Sequence, residues 1–96
     1  MKYFVVEGTL HVQEIDDNLM NEHMEYTNNK IKEGVILTTG LKVDMSGGLF
    51  IIKSNSLDEL YKYLNNEPFY RAGVQSYSAI EFTPHYVNEE AKEWLS

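Results

Sequence analysis

The stretch Glu67-Pro68-Phe69-Tyr70-Arg71-Ala72-Gly73-Val74 gathers a carboxylate, two aromatic rings and a guanidinium into one short corner of the sequence. A carboxylate can orient or hold a proton, an aromatic ring can stack on a planar ligand, and a guanidinium can grip an anion. Pro68 lacks a backbone donor and biases Asn66 and Glu67 away from helix, while Gly73 permits backbone angles other residues resist, so the chain must turn here. The same groups also suit a plain corner. Phe69 reads as an anchor pinning the turn to the core, and Tyr70 and Arg71 read equally as ligand contacts or as solvated surface. The other source of chemistry is histidine, the side chain best fitted to accept and return a proton near neutral pH. The chain has His11, His23 and His85. His23 suits proton transfer or a structural hydrogen bond.

These groups need elements to position them. Lys2 to Val12 alternates as a first strand, with Phe4, Val6, Leu10 and Val12 on one side and Tyr3, Val5, Glu7, Thr9 and His11 on the other. Asp16 and Asp17 open a helix, Lys30 and Lys32 lie near its end and Gly34 closes it; its apolar stripe of Leu19, Met20, Met24, Thr27 and Ile31 includes His23. Val35 to Lys42 and Leu49 to Lys53 read as an antiparallel pair joined through Gly47-Gly48. Ser56-Leu57-Asp58-Glu59 is a capping box for a second helix that stops at Asn65-Asn66, just before the corner. Val74 to Thr83 resumes alternation. Val74, Ser76, Ser78, Ile80 and Phe82 are expected toward the helices, and Gln75, Tyr77, Ala79 and Glu81 away from them, until Pro84 ends the strand. Asn88 then caps a short C-terminal helix.

The order βαββαβ with right-handed crossovers predicts an α+β, ferredoxin-like sandwich: a four-stranded antiparallel sheet, two helices on one face, and an extra C-terminal helix over 85–96. One domain over 1–96 is expected. The open face would carry Tyr3, Val5, Tyr77 and Ala79, an apolar patch that predicts a homodimer formed sheet to sheet. The first and fourth strands should run antiparallel, setting His11 and His85 about 25 Å apart, too far for a shared metal.

Composition narrows the partners. Eight Lys and Arg against fifteen acids leave a formal charge of -7, the wrong sign for a phosphate backbone. RNA-recognition modules share this topology, but Gly48-Leu49-Phe50-Ile51-Ile52-Lys53 lacks their paired exposed aromatics. With no cysteine there is no disulfide, thiolate nucleophile or iron-sulfur site, and no dinucleotide or phosphate-loop fingerprint is present. No cofactor or metal is expected. No run reaches the roughly 20 apolar residues of a membrane span, so a cytoplasmic protein is the expectation.

His23, Gly34, Thr39-Gly40 and Glu67-Pro68-Phe69-Tyr70-Arg71-Ala72-Gly73-Val74 leading to Tyr77 and Phe82-Thr83-Pro84 together resemble the YCII-related family of the dimeric α+β barrel superfamily. The likeness covers roughly residues 1 to 84. It implies that the helix histidine and the acid of the turn, here His23 and Glu67, form the active-site pair. Two positions depart from the family pattern: the usual acid is Asp, and Leu41 follows Gly40 where Pro is common. Relatives resembling muconolactone isomerases and dehydrochlorinating enzymes imply proton transfer on a small cyclic or aromatic acid or phenol. On that reading His23 is the general base or acid, Glu67 orients it, and Phe69, Tyr70, Arg71 and Ser78 contact the substrate. A non-catalytic dimeric binding protein remains open beside it. Spacing leaves the pair's geometry open too, since an offset of about 10 Å along the helix axes would separate the two side chains.

Overall fold

In the computed structural model, which describes residues 1–95, the chain runs β1 (Lys2–Leu10), α1 (Asp17–Lys32), β2 (Ile36–Leu41), β3 (Gly48–Ser54), α2 (Leu57–Asn65), α3 (Pro68–Arg71) and β4 (Gln75–Phe82). The strands form one antiparallel sheet in the order β2-β3-β1-β4. This is the ferredoxin-like α+β arrangement that the element order predicts. Each helix starts where its cap dictates: Asp16 accepts from Asn18 N, and Ser56 Oγ accepts from Glu59 N at 3.1 Å. Gly34 ends α1 with φ +82°, a conformation natural to glycine.

The packed core and the empty space lie under different helices. Phe4, Val6, Ile36 and Ile52 from the sheet close against Leu60 and Leu64 of α2, and all six are buried. Each such side chain contributes about 1.5–3 kcal/mol by leaving water. No residue of α1 is fully buried. Met20 and Met24 of its expected stripe stay 37% and 51% exposed, because α1 bridges a cavity at this end of the sheet instead of packing down on it.

Register corrects the expected faces of the last strand. Val6 pairs with Ala79 and Gly8 with Tyr77, so Tyr77 and Ala79 lie on the helix-covered side, packed against the core, and are not part of the open face. Val5 pairs with Ile80, and Glu7 with Ser78, so Ser78 lies on the side away from the helices. The two faces of β4 carry similar apolar content, which hides the phase from pattern alone. Gly8 fits the observed phase, since a Cβ there would come within 2.5 Å of the inward Gln75 side chain. Of the four residues expected on the open face, Tyr3 and Val5 do share it with Ile51, Ile80 and Phe82.

The tail is also simpler than expected. In place of a C-terminal helix there is one 3-10 turn, Glu89–Ala91, capped by Asn88; the last residue of the expected tail, Ser96, lies outside the described residues. Trp94 docks against the sheet and the α1 terminus of its own chain. Its indole N–H donates to Gly34 O at 2.6 Å, and its ring lies 5.7 Å from that of Tyr3 and 4.9 Å from Lys53 Nζ. β1 ends at Leu10, not Val12, because the β2–β3 loop then takes over its partners: Leu10 N donates to Ser46 O at 2.8 Å.

Gly47 makes that crossing possible. A Cβ there would sit 2.0 Å from Gly8 O, whereas a Cβ on Gly40 would meet nothing within 4 Å. Gly47→Ala should therefore cost about 2 kcal/mol through forced backbone movement, and Gly40→Ala should stay within about 0.5 kcal/mol, both read from urea midpoints. Equal stabilities for the two variants would contradict the close approach.

Candidate functional site

The corner is built by a one-turn helix. Pro68 occupies the first helical position, where its missing donor costs nothing, and Glu67 caps the turn. Glu67 Oε2 accepts from Phe69 N at 2.9 Å and Tyr70 N at 3.2 Å. Gly73, at φ +77°, then sends the chain into β4. This short helix packs against α1 and cancels the axial offset expected between the two longer helices. As a result Glu67 Oε1 meets His23 Nδ1 directly. The arm of Glu67 is long enough for one carboxylate both to cap the turn and to reach the ring.

His23 is fixed on two sides. Its ring stacks on Phe69 with centroids 3.8 Å apart and planes within 4°. Nδ1 is engaged with the carboxylate, so Nε2 is the nitrogen left for a ligand, and the side chain is 25% exposed. Phe69, expected as either anchor or ligand contact, is a buried anchor that also forms the platform for the imidazole.

Behind the acid runs a chain of donors. Gly48 N donates to Gln75 Oε1 at 3.0 Å, Gln75 Nε2 donates to Tyr77 Oη at 2.9 Å, and the Tyr77 hydroxyl donates to Glu67 Oε2 at 2.8 Å. Gln75 is itself buried, and a Cβ on Gly8 would come within 2.5 Å of its Oε1. Neither Gln75 nor Tyr77 stood out in the sequence as a site residue. The signal was there in two polar residues, two apart on a strand, the second of them opposite Gly8. Burial, reinforced by the negative charge of Glu67, pushes the Tyr77 phenol far above its ordinary value. Tyr63 is raised mainly by burial, then by Tyr26 and Glu67.

His23 and Glu67 stand in the wall of a cavity of about 240 Å³ between α1 and the sheet. Its other walls include Leu10, Ile36, Leu41 and Phe50, with Thr27, Thr39, Tyr63, Gln75 and Tyr77 as the polar members. The remaining expected contacts lie elsewhere. Tyr70 offers its backbone N–H to Glu67 while its ring is exposed, Arg71 is exposed and outside the lining, and Ser78 is on the opposite face of the sheet. His11 bonds Ser76 Oγ at 2.9 Å, away from the cavity. Among the described residues no group of three or more His, Cys, Asp or Glu is placed to hold a metal ion, and no helix is long and apolar enough to cross a membrane.

The model of the YCII-related domain matches residues 1–83. Among solved structures, muconolactone isomerase is similar with a TM-score of 0.74 at 14% identity, over 91% of this chain and 94% of that one. The 5-chloro-2-hydroxyhydroquinone dehydrochlorinase of Burkholderia phenoliruptrix AC1100, in complex with 2,5-dihydroxybenzoquinone, has a TM-score of 0.60 at 18% identity, over 92% of this chain and 96% of that one. At these identities the likeness is one of fold. No curated protein matches.

The buried phenols give a direct test of the electrostatics. Tyr63 and Tyr77 should stay protonated when exposed tyrosines ionise near pH 10. In the unfolded chain they ionise at the ordinary value, so above about pH 10 the unfolded state loses protons that the folded state keeps, and stability falls as pH rises. Phenolate absorbance should show the two appearing only with unfolding. Their ionisation near pH 10 in folded protein would refute the buried network.

Proposed function

The chain belongs to the YCII-related domain family, and from that premise and the site's geometry we propose that it is a small cofactor-independent enzyme of lyase or isomerase type. It moves a proton on a small cyclic or aromatic acid or phenol held in the cavity under α1. The observation that carries this reading is the contact between His23 Nδ1 and Glu67 Oε1 in the cavity wall, which leaves Nε2 as the working nitrogen. With the carboxylate accepting at Nδ1, the neutral ring presents a lone pair at Nε2, the form a general base requires. Glu67 fixes the tautomer and stabilises the imidazolium that forms on proton transfer. Phe69 holds the ring plane. Tyr70, Arg71 and Ser78 have no part in this version of the mechanism. The reading is supported by the names of the two similar structures, a muconolactone isomerase and a 5-chloro-2-hydroxyhydroquinone dehydrochlorinase.

A second reading rests on its own observation. Glu67 is also the cap of α3, accepting from two backbone amides, so its position serves folding as well as chemistry. A dimeric binding protein that holds a small metabolite without transforming it would keep the same contacts. His23→Gln separates the two. Against a panel of small-ring acids and phenols followed by ultraviolet absorbance, the enzyme reading expects turnover to fall by about 10²-fold or more with the circular dichroism unchanged. Unchanged turnover removes His23 from the mechanism, and binding without consumption in both proteins favours the binding module.

The same proposal includes a homodimer formed through the open sheet face, with Val5, Ile51, Ile80 and Phe82 in place of the inward Tyr77 and Ala79. Tyr3 is already covered by Trp94 of its own subunit, so the contact would centre on the other end of the face. Ile80 is 65% exposed in the single chain, a costly position for a large apolar group unless something covers it. Light scattering at micromolar concentration should give a dimer for the wild type and a folded monomer for Ile80→Glu. A monomeric wild type would end this part of the proposal.

A further inference from the structure

We infer that the cavity selects an uncharged ring bearing a phenolic or enolic hydroxyl and rejects carboxylates, a narrowing that rests on the proton-transfer reading of His23. The cavity's volume of about 240 Å³ leaves room for one substituted ring, since an apolar cavity of about 150 Å³ takes up benzene. Leu10, Ile36, Leu41 and Phe50 offer such a ring apolar walls.

Charge then decides what the ring can carry. Neither Lys nor Arg is among the residues lining the cavity; Glu67 supplies a fixed negative charge, and His23 is the one side chain there that can become positive. Both Glu67 oxygens are already occupied, by His23 on one side and by two amides and Tyr77 on the other, so the acid cannot swing away from an incoming anion. The cations beside lining residues are committed elsewhere. Lys42, next to Leu41, sits 3.5 Å from Glu7, and Lys30, 5.7 Å from the centre of the Tyr63 ring, sits 3.3 Å from Glu33.

A bound carboxylate would add a second anion to an apolar enclosure. Its only counter-charge would be a proton taken up by His23, and that proton consumes the Nε2 lone pair on which base catalysis depends. Binding an acid and acting as a base are thus opposed in this site. A neutral hydroxylated ring avoids the conflict. Its O–H donates to Nε2, and on transfer the proton moves from oxygen to nitrogen while the electron pair of the broken O–H bond stays on oxygen. The imidazolium then lies between that oxyanion and Glu67, and the total charge of the cavity is the same before and after the step.

The test titrates the full chain, labelled with ¹⁵N, with phenol against benzoate and hydroquinone against 4-hydroxybenzoate at pH 8. The readout is the His23 ring nitrogens, assigned by their loss in His23→Gln. Phenol and hydroquinone should shift these resonances saturably, and each carboxylate should bind at least roughly tenfold more weakly, the effect of one uncompensated like charge at protein-like dielectric. Carboxylates that bind as tightly as the phenols, with His23 still responding, overturn the selectivity and leave the proton-transfer site standing. No response of His23 to either series overturns both.

Discussion

A single buried carboxylate holds this end of the molecule together. Glu67 is 2% exposed and receives the His23 ring, two backbone amides of α3 and the Tyr77 hydroxyl on its two oxygens. A buried charge is tolerable only when it is satisfied in this way, and removing it would leave several buried donors without acceptors at about 1–3 kcal/mol each. The donors belong to α1, α3 and β4, so one side chain ties a helix, a turn and a strand into a single geometry. Two of the four are main-chain groups set by the helical turn itself. The carboxylate therefore cannot rotate without unwinding α3, and the imidazole it holds inherits that rigidity.

The space beside the imidazole follows from how the two long helices are secured. α2 is held by Leu60 and Leu64 sunk into the core, the ordinary apolar solution. α1 buries no residue completely and is held by directed contacts: His23 stacked on Phe69, Tyr26 stacked on Tyr63 with its hydroxyl donating to Tyr63 O at 2.6 Å, and Trp94 bonded to Gly34 just past its end. Aliphatic side chains filling the interval would have stabilised the helix more and left nowhere for a ligand. Rings and hydrogen bonds around the margin support α1 while keeping the middle open. Local stability is lowest where apolar contacts are few, which makes α1 the element best suited to move when a ligand enters.

Much of this was legible in the order of residues. Caps at Asp16 and Ser56, the breaks at Gly34 and Gly73 and the period-two runs were enough for the βαββαβ order, because each rests on local backbone chemistry. The corner at 67–74 could be singled out for the same reason. What could not be read was distance and phase. His23 and Glu67 touch because a single turn of helix intervenes between α2 and β4, and a turn so short carries no apolar period to reveal it. Ser78 and Tyr77 exchanged faces because Ile80 with Phe82 balances Tyr77 with Ala79, so alternation alone offers two equal answers. The tail fell short of a helix for a tertiary reason: Trp94 reaches Tyr3, Lys53 and Gly34 through side-chain contacts that a helical pattern does not encode.

The phase of β4 is where fold and chemistry meet. Across β1 and β4 the inward pairs match small against large, Val6 with Ala79 and Gly8 with Tyr77. A slip of one residue would bring Ser78 inward, and a hydroxyl on so short a side chain would not span the distance from the strand to Glu67. It would also drive Ile80 into the place of Ala79 against Val6. Gly8 is thus a determinant of the site although it bears no functional group: its missing Cβ is the space into which Gln75 Oε1 reaches toward Gly48 N. The same phase obliges Ile80 to point outward beside Val5. The apolar outer face is therefore the necessary reverse side of the strand that completes the inner site, and any substitution that shifts one must disturb the other.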